Sequence, residues 1–166
     1  MKKRLLSALL LLTMAFSLVA CGNGGTGDTG SNENNKKEVK AEDLAQALAT
    51  QITYTGKIEQ MDAEDVEWLF ELEEGVTGVA YEVAGVSSEK VAVFTVADKA
   101  AADKVMAAID AVLADDLDQN AAYDAKVASR IENAVVEYKG NLVILCVSDD
   151  SAKAKQIIKE AFGEED

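Results

Sequence analysis

Two segments after residue 40 place apolar side chains at the 3.6-residue spacing of an α-helix. Residues 41–52 keep this spacing, with acidic residues in the first turn, where the positive end of the helix dipole favours them. Residues 63–72 repeat it behind Asp62, a residue type that caps helix N-termini, and Trp68 widens the apolar face. The pattern predicts two amphipathic helices, the second of which ends at residues 73–75.

The spacing then changes to the two-residue alternation that is typical of strands. Residues 76–83 alternate in this way, residues 85–88 form a turn, and residues 90–97 are apolar on both faces. A strand with two apolar faces is typical of a sheet that is covered on both sides. We therefore expect residues 90–97 to form a central strand.

A long helix is predicted from Asp98 onward. Its apolar stripe weakens at residues 118–121 and resumes through Val127 and Ile131. We interpret residues 116–122 as a solvated break between two helical segments.

Near this break the chain matches four ligand positions of a calcium-binding EF-hand loop, at Asp116, Asp118, Asn120 and Asp124. The loop also requires glycine at its sixth position and a bidentate glutamate at its twelfth. This chain has Ala121 and Val127 there. We therefore expect no metal site.

A second hairpin and a last helix complete the pattern. Strands at residues 134–139 and 142–147 flank Gly140-Asn141, with glycine first, as a type II′ turn requires. Asp149 or Asp150 then caps a helix that ends at Gly163. The order α-α-β-β-α-β-β-α predicts an α+β domain, with helices packed on a four-stranded, mainly antiparallel sheet.

The first twenty residues have the pattern of a secretory signal. Three basic residues precede an apolar run at residues 5–19, which is shorter than a membrane span requires. The sequence Leu18-Val19-Ala20-Cys21 matches the lipobox of bacterial lipoproteins. This match implies cleavage after residue 20 and diacylglycerol on Cys21, which would hold the protein on the extracytoplasmic face of the cell membrane. An uncleaved membrane helix and an ordinary secreted protein are the alternatives.

The residues that follow divide into a tether and a domain. Residues 21–40 contain the cysteine and a polar stretch rich in glycine and asparagine, which buries too little apolar surface to fold. We expect this stretch to be a flexible tether and residues 41–166 to form a single domain.

Composition narrows the classes of partner and chemistry. Cleavage would leave 13 basic and 30 acidic residues, a net charge of −17, which argues against nucleic acid. The favoured interpretation of this charge is solubility, and the alternative is attraction of cations or of a basic partner. The chain has no histidine, the commonest acid–base group near neutral pH and the usual zinc ligand. We therefore expect no catalytic residues and no cofactor.

The second cysteine, Cys146, lies within an apolar predicted strand. Because Cys21 is committed to lipid, no disulfide is expected within the mature chain. Free cysteine in such a setting usually packs as a small apolar side chain, and we expect a core thiol.

Several short segments, taken in order, resemble the domain of unknown function 4358 family. They are SEKVAVF at residues 88–94, the helix from Asp98, IENAVVEYKGNLV at residues 131–143, and SDD at residues 148–150. The resemblance spans residues 41–162. It implies a small, exported, lipid-anchored α+β protein, mainly from Gram-positive bacteria, and it supplies no catalytic residues.

Two functions remain open at this point. The first is a non-catalytic binding or interaction module at the cell surface, whose partner is an unknown envelope protein or extracellular ligand. Its candidate stacking residues are Tyr54, Trp68, Tyr81, Tyr123 and Tyr138, although a packing role is the favoured interpretation of all five. The alternative is a carboxylate-dependent hydrolase that acts on cell-envelope or extracellular material. Its carboxylates would come from Asp62, Glu64 and Asp65, or from Glu71, Glu73 and Glu74.

The lipobox generates a direct prediction. Cys21→Ser should abolish lipid attachment and normal processing, because the thiol is the atom that would be acylated. Metabolic labelling with a fatty-acid probe measures this. Equal labelling of the variant and the parent would contradict the prediction.

Overall fold

The computed structural model describes residues 38–85, 87–120 and 124–164. The predicted signal and Cys21 lie outside these ranges. Within them the elements, in chain order, are α1 (Ala41–Gln51), β1 (Ile58–Gln60), α2 (Ala63–Leu69), β2 (Thr77–Val83), β3 (Lys90–Thr95), α3 (Lys99–Asn120), α4 (Ala125–Glu132), β4 (Val135–Lys139), β5 (Leu142–Val147) and α5 (Ser151–Ala161). None of the helices in this part of the chain is both long enough and apolar enough to cross a membrane.

The strands form one antiparallel sheet in the order β1-β2-β3-β5-β4. β3 lies at its centre, where Val93 pairs with Val79 of β2 on one side and with Ile144 of β5 on the other. The α+β class and the central position predicted for this strand are confirmed. The sequence shows this strand clearly because both of its faces must be apolar.

The prediction of four strands is wrong, because the sheet has a fifth strand, β1. This strand has three residues, of which Glu59 and Gln60 are exposed, and it pairs with the end of β2 through Ile58 and Val83. So short a segment shows no two-residue period. A short, charged strand is also a common way to protect a sheet edge against pairing with other chains.

Helices cover both faces of the sheet, and each face has its own core. α2, α3 and α4 cover one face, around Phe94, whose ring meets Phe70 edge to face at 4.9 Å. α1 and α5 cover the other, with Leu48, Val93 and Ile158 fully buried. Alternate residues of β3 and β5 enter opposite cores, which explains why these two strands are apolar throughout.

The C-terminal helix confirms the predicted start and stop signals. The side chain of Asp150 accepts the backbone N–H of Lys153 at 2.9 Å, which places the cap at the second of the two candidate aspartates. Gly163 follows the helix with a φ of 69°. Gly140 has a φ of 62° in the two-residue turn of the predicted hairpin, a backbone conformation that glycine adopts at little cost.

Two helix boundaries differ from the prediction. α3 continues to Asn120, so residues 116–120 are helical rather than part of a solvated break. Lys90 holds this last turn in place, since its ammonium lies 2.7 Å from the Asp116 carboxylate. Asp116, Asp118 and Asn120 therefore lie along one helix, where residues two positions apart do not face each other, so Asp118 does not share a face with the other two.

α2 ends at Leu69 rather than at residue 72, and it ends without glycine. The N–H of Leu72 donates to the carbonyl of Glu67, and the N–H of Glu71 donates to that of Trp68, the two bonds of a Schellman motif. Glu71 occupies the position where glycine is usual, with a φ of 47°. A side chain there costs about 1–2 kcal/mol.

This strain can be measured by substitution. Glu71→Gly should raise the free energy of unfolding by about 0.5–1 kcal/mol, because relief of the strain exceeds the added chain entropy of glycine. Glu71→Ala is the matched control, since it removes the carboxylate but keeps the Cβ atom. Urea denaturation measures the free energy of unfolding of both variants. An equal gain in this free energy for both would show that charge rather than backbone strain is responsible.

Candidate functional site

Two regions qualify as candidate sites, and the first is a buried ionic cluster at one end of the sheet. We call it the polar end and define it by Thr55, Ser87, Glu89, Arg130 and Asp149. The chain brings these residues together from four separate segments, at the end where β2 and β5 stop and β3 begins. Glu89 and Arg130 are its core, with only 1% and 5% of their surface exposed.

The Glu89 carboxylate accepts several hydrogen bonds. The backbone N–H of Thr55 donates to its two oxygens at 3.0 and 3.2 Å, and the Thr55 hydroxyl donates to it as well. Nε of Arg130 lies 3.7 Å from Oε1 of Glu89. The connection between α1 and β1 is thus fastened to the start of β3.

The Arg130 guanidinium joins two more segments. It donates from Nη1 to the carbonyl oxygen of Ser87 at 2.6 Å, and from Nε to Oδ1 of Asp149 at 2.8 Å. Lys126, one turn earlier on α4, lies 2.9 Å from the other oxygen of Asp149. The hydrogen bond from Arg130, with a second from Lys126, holds the pKa of the Asp149 carboxyl below its usual value, so this group is ionised near neutral pH.

Two shallow clefts flank the polar end. One, of about 180 Å³, lies beside Lys90 and Asn120 and is lined mainly by polar atoms. The other, of about 380 Å³, lies between α4 and the start of α5, beside Arg130 and Ser148. Both are bordered by the residues that make the ionic cluster.

The cluster's groups are already bonded to each other. Across residues 38–85, 87–120 and 124–164, every buried side-chain nitrogen or oxygen has a hydrogen-bond partner. A general acid needs a carboxyl group whose pKa is raised, and that of Asp149 is lowered. In the same ranges no three Cys, Asp or Glu side chains are grouped as metal ligands. These bonds hold four separate segments of the chain together at this end of the sheet.

Cys146 is a free core thiol, as predicted. Burial raises its pKa to about 11, which disfavours the reactive thiolate. Tyr54 lies nearby, donates its hydroxyl to the carbonyl of Leu48 at 3.1 Å, and has a pKa raised by burial. Both side chains pack in the core between the sheet and helices α1 and α5.

The second candidate site surrounds Trp68, whose surface is 80% exposed. The prediction that this residue widens the apolar face of α2 is wrong. Val66 is the buried position of this short helix, and at 3.6 residues per turn Trp68 points about 200° away from it. Among the other candidate aromatics, Tyr54 and Tyr81 pack against the opposite core, Tyr138 is exposed on β4, and Tyr123 lies outside the described residues.

A groove of about 310 Å³ lies between α3 and the segment that joins α2 to β2, and Trp68 is not one of its lining residues. We call it the α2–α3 groove. Its walls are Phe70, Glu71, Leu72, Glu73, Val76, Ala101, Lys104, Val105, Ala107, Ala108 and Ala111. Apolar side chains dominate these walls, and the charged ones are two glutamates and one lysine. The ammonium of Lys104 lies 2.7 Å from Glu73, and both side chains are exposed.

Sequence reasoning missed the central pair of the polar end. Arg130 offered a signal, because it lies among the positions of α4 that face inward, beside the buried Ile131 and one turn after Val127. Of the carboxylates considered for a hydrolase, only Glu71 and Glu73 line a common groove. All of the carboxylates considered are exposed on α2 and the residues around it, at Asp62, Glu64, Asp65, Glu71, Glu73 and Glu74.

Comparison with known proteins identifies a family and adds no activity. No curated protein and no solved structure matches the chain significantly. The model of one family, described as a domain of unknown function (DUF4358), matches residues 50–148, which is more than half of the chain. The chain belongs to the DUF4358 family.

Proposed function

We propose that this protein is a non-catalytic interaction module, anchored by lipid on Cys21 to the extracytoplasmic face of a cell membrane. The location rests on the sequence of residues 1–21, in which a basic start and a short apolar run lead to a lipobox. Two or three acyl chains on one cysteine would anchor the protein stably, since each buried methylene contributes about 0.8 kcal/mol.

The observation that carries the proposed interaction is the exposure of Trp68. Full burial of a large apolar side chain contributes about 1.5–3 kcal/mol, which this residue forgoes in the isolated chain. Tryptophan is among the residues that most often dominate the binding energy of protein interfaces. Trp68 is the only tryptophan of the chain.

The absence of catalytic activity has separate support. The chain offers no histidine, and the buried charged groups of the polar end are committed to each other. A hydrolase of the carboxylate type needs two acids in contrasting environments. The acids around α2 share one environment, the solvent-exposed surface, and this favours the interaction module.

A photocrosslinking experiment on intact cells tests the proposal. The full-length chain would carry p-benzoylphenylalanine at position 68, or at Glu42 on α1 as the control. Glu42 is also exposed and belongs to α1, which covers the opposite face of the sheet. We expect a discrete adduct with a membrane or envelope protein from position 68 and none from position 42. No adduct from either position, or the same adducts from both, would contradict the proposal.

A further inference from the structure

We infer that strand β4 is an interface between two copies of this chain, which join edge to edge into one continuous antiparallel sheet. This surface is separate from Trp68 and goes beyond the proposed function. Three features support it: the open edge of β4, the exposure of Tyr138 on that edge, and the order of the charges on either side of this residue.

β4 leaves one edge of the sheet open. It is the last strand in the sheet order, and in the part of the chain that the structure describes it pairs only with β5. Its five residues pair with β5 in unbroken register. The opposite edge is different, because β1 has only three residues. A regular strand at a sheet edge offers its unpaired backbone groups to another chain.

The hairpin geometry determines which backbone groups of β4 face this open edge. Lys139 and Leu142 are partners on either side of the two-residue turn at residues 140–141, and residues that flank such a turn are hydrogen-bonded to each other. Hydrogen-bonded and non-hydrogen-bonded pairs alternate along an antiparallel ladder. The N–H and C=O groups of Val136 and Tyr138 therefore point away from β5.

The side chains of β4 leave apolar surface for a neighbouring strand to cover. Tyr138 and Trp68 are the two large hydrophobic side chains that are exposed within the described residues. Val136 lies on the same face as Tyr138, two residues earlier, and is only partly buried. Aromatic side chains that face each other across neighbouring strands stabilise a sheet. A strand added at this edge would cover both residues.

The charges of β4 select a second copy of the strand and a single register. Glu137 and Lys139 lie on either side of Tyr138 and have opposite charges. In an antiparallel pair centred on Tyr138, the two tyrosines face each other, and each Glu137 faces the Lys139 of the other copy. Facing opposite charges stabilise a sheet and facing like charges destabilise it. A pair centred on Glu137 would place the two glutamates opposite each other, so charge disfavours that register.

Both charged groups can form these contacts. Glu137 forms no ion pair within the described residues. The ammonium of Lys139 pairs with Glu164 and lies 5.2 Å from the centre of the Phe162 ring, which holds it near the end of α5. An ammonium has three donors, and the hydrogen bond to Glu164 uses one of them. A second carboxylate can therefore approach this lysine.

Antiparallel pairing also suits two chains that are anchored to one membrane. The two-fold axis that relates neighbouring antiparallel strands is perpendicular to the sheet. The α1 and α5 helices of both copies would therefore lie on the same face of the combined sheet. The described part of the chain begins on this face, where Val39 packs against the core formed with α1 and α5. Both segments that lead to Cys21 would thus start from one side, as the proposed anchor requires.

The pairing is expected to be weak in solution and stronger on a membrane. A five-residue edge is smaller than a stable interface, which buries about 1,200–2,000 Å². Confinement of two anchored copies to one surface raises their effective concentration. The repulsion between these acidic chains is screened beyond about 8 Å at physiological salt. The pairing is therefore tested on intact cells with the full-length chain.

Photocrosslinking from the two edges of the sheet tests the interface. The full-length chain would carry p-benzoylphenylalanine in place of Tyr138, or in place of Glu59 as the control. Glu59 is also exposed and belongs to β1, at the opposite edge. Mass spectrometry of the linked peptides identifies the partner after irradiation. We expect an adduct from position 138 that links β4 of one copy to β4 of another, and no such self-adduct from position 59.

Two charge reversals, each made in the chain that carries the crosslinker at position 138, test the register. Glu137→Lys and Lys139→Glu each place like charges opposite each other at both facing pairs. Each should reduce the yield of the self-adduct about tenfold. When the two variants are produced in the same cells, both facing pairs of a mixed dimer are again opposite in charge. The mixed adduct should recover to nearly the parent yield, which also shows that neither variant fails to fold.

Every other outcome overturns the inference. No self-adduct from position 138, or equal self-adducts from positions 138 and 59, would show that β4 is not the interface. An adduct from position 138 with a different protein would assign the edge to that protein. Full yield from either single variant, or no recovery in the mixture, would exclude the register. The proposed function fails separately, because it is tested from position 68.

Discussion

The buried ion pair between Glu89 and Arg130 is the interaction on which the arrangement of the loops depends. It connects α4 to the start of β3, and the same two side chains bind Thr55 and Ser87. Burial of charge is costly unless each group is paired and hydrogen-bonded, and loss of one partner from such a pair costs about 3–5 kcal/mol. Segments far apart in sequence are therefore held at one end of the sheet by a few atoms.

The polar end differs in its properties from the region around α2. At the polar end, the buried donors and acceptors of the described residues satisfy one another. On α2 and the segment that joins it to β2, by contrast, Trp68 and a row of carboxylates face solvent. The first end contributes to stability, whereas the second leaves apolar surface and carboxylates exposed to solvent. That asymmetry is the physical basis of the proposed interaction surface.

The sequence predicts those parts of the fold that repeat a pattern over many residues. Strands β3 and β5 are recognisable because two cores require both of their faces to be apolar, and α5 because its cap and its glycine stop frame a clear period. The edge strand β1 is missed from the sequence because three residues are too few to show a two-residue alternation. The end of α3 is not predicted correctly, because the ion pair that holds it in place joins Lys90 and Asp116, which are distant in sequence.

The candidate sites are harder to predict from sequence for related reasons. Glu89 and Arg130 are charged residues far apart in the chain, and charged residues are ordinarily expected at the surface. The exposure of Trp68 follows from the helical angle that separates it from Val66, but only once the short α2 is known to bury a single position. Pairing between distant residues and the rotation of a short helix are both decided by tertiary packing.

A rescue experiment on the ion pair tests the central claim most directly. Arg130→Met should lower the free energy of unfolding by about 3–5 kcal/mol, because it leaves the Glu89 carboxylate buried without its cation. Adding Glu89→Gln removes that uncompensated charge and keeps an acceptor for Thr55. Urea denaturation should therefore find the double variant more stable than Arg130→Met alone, by at least about 1 kcal/mol. Simple addition of the two single costs would show that the pair is not coupled and would contradict this account.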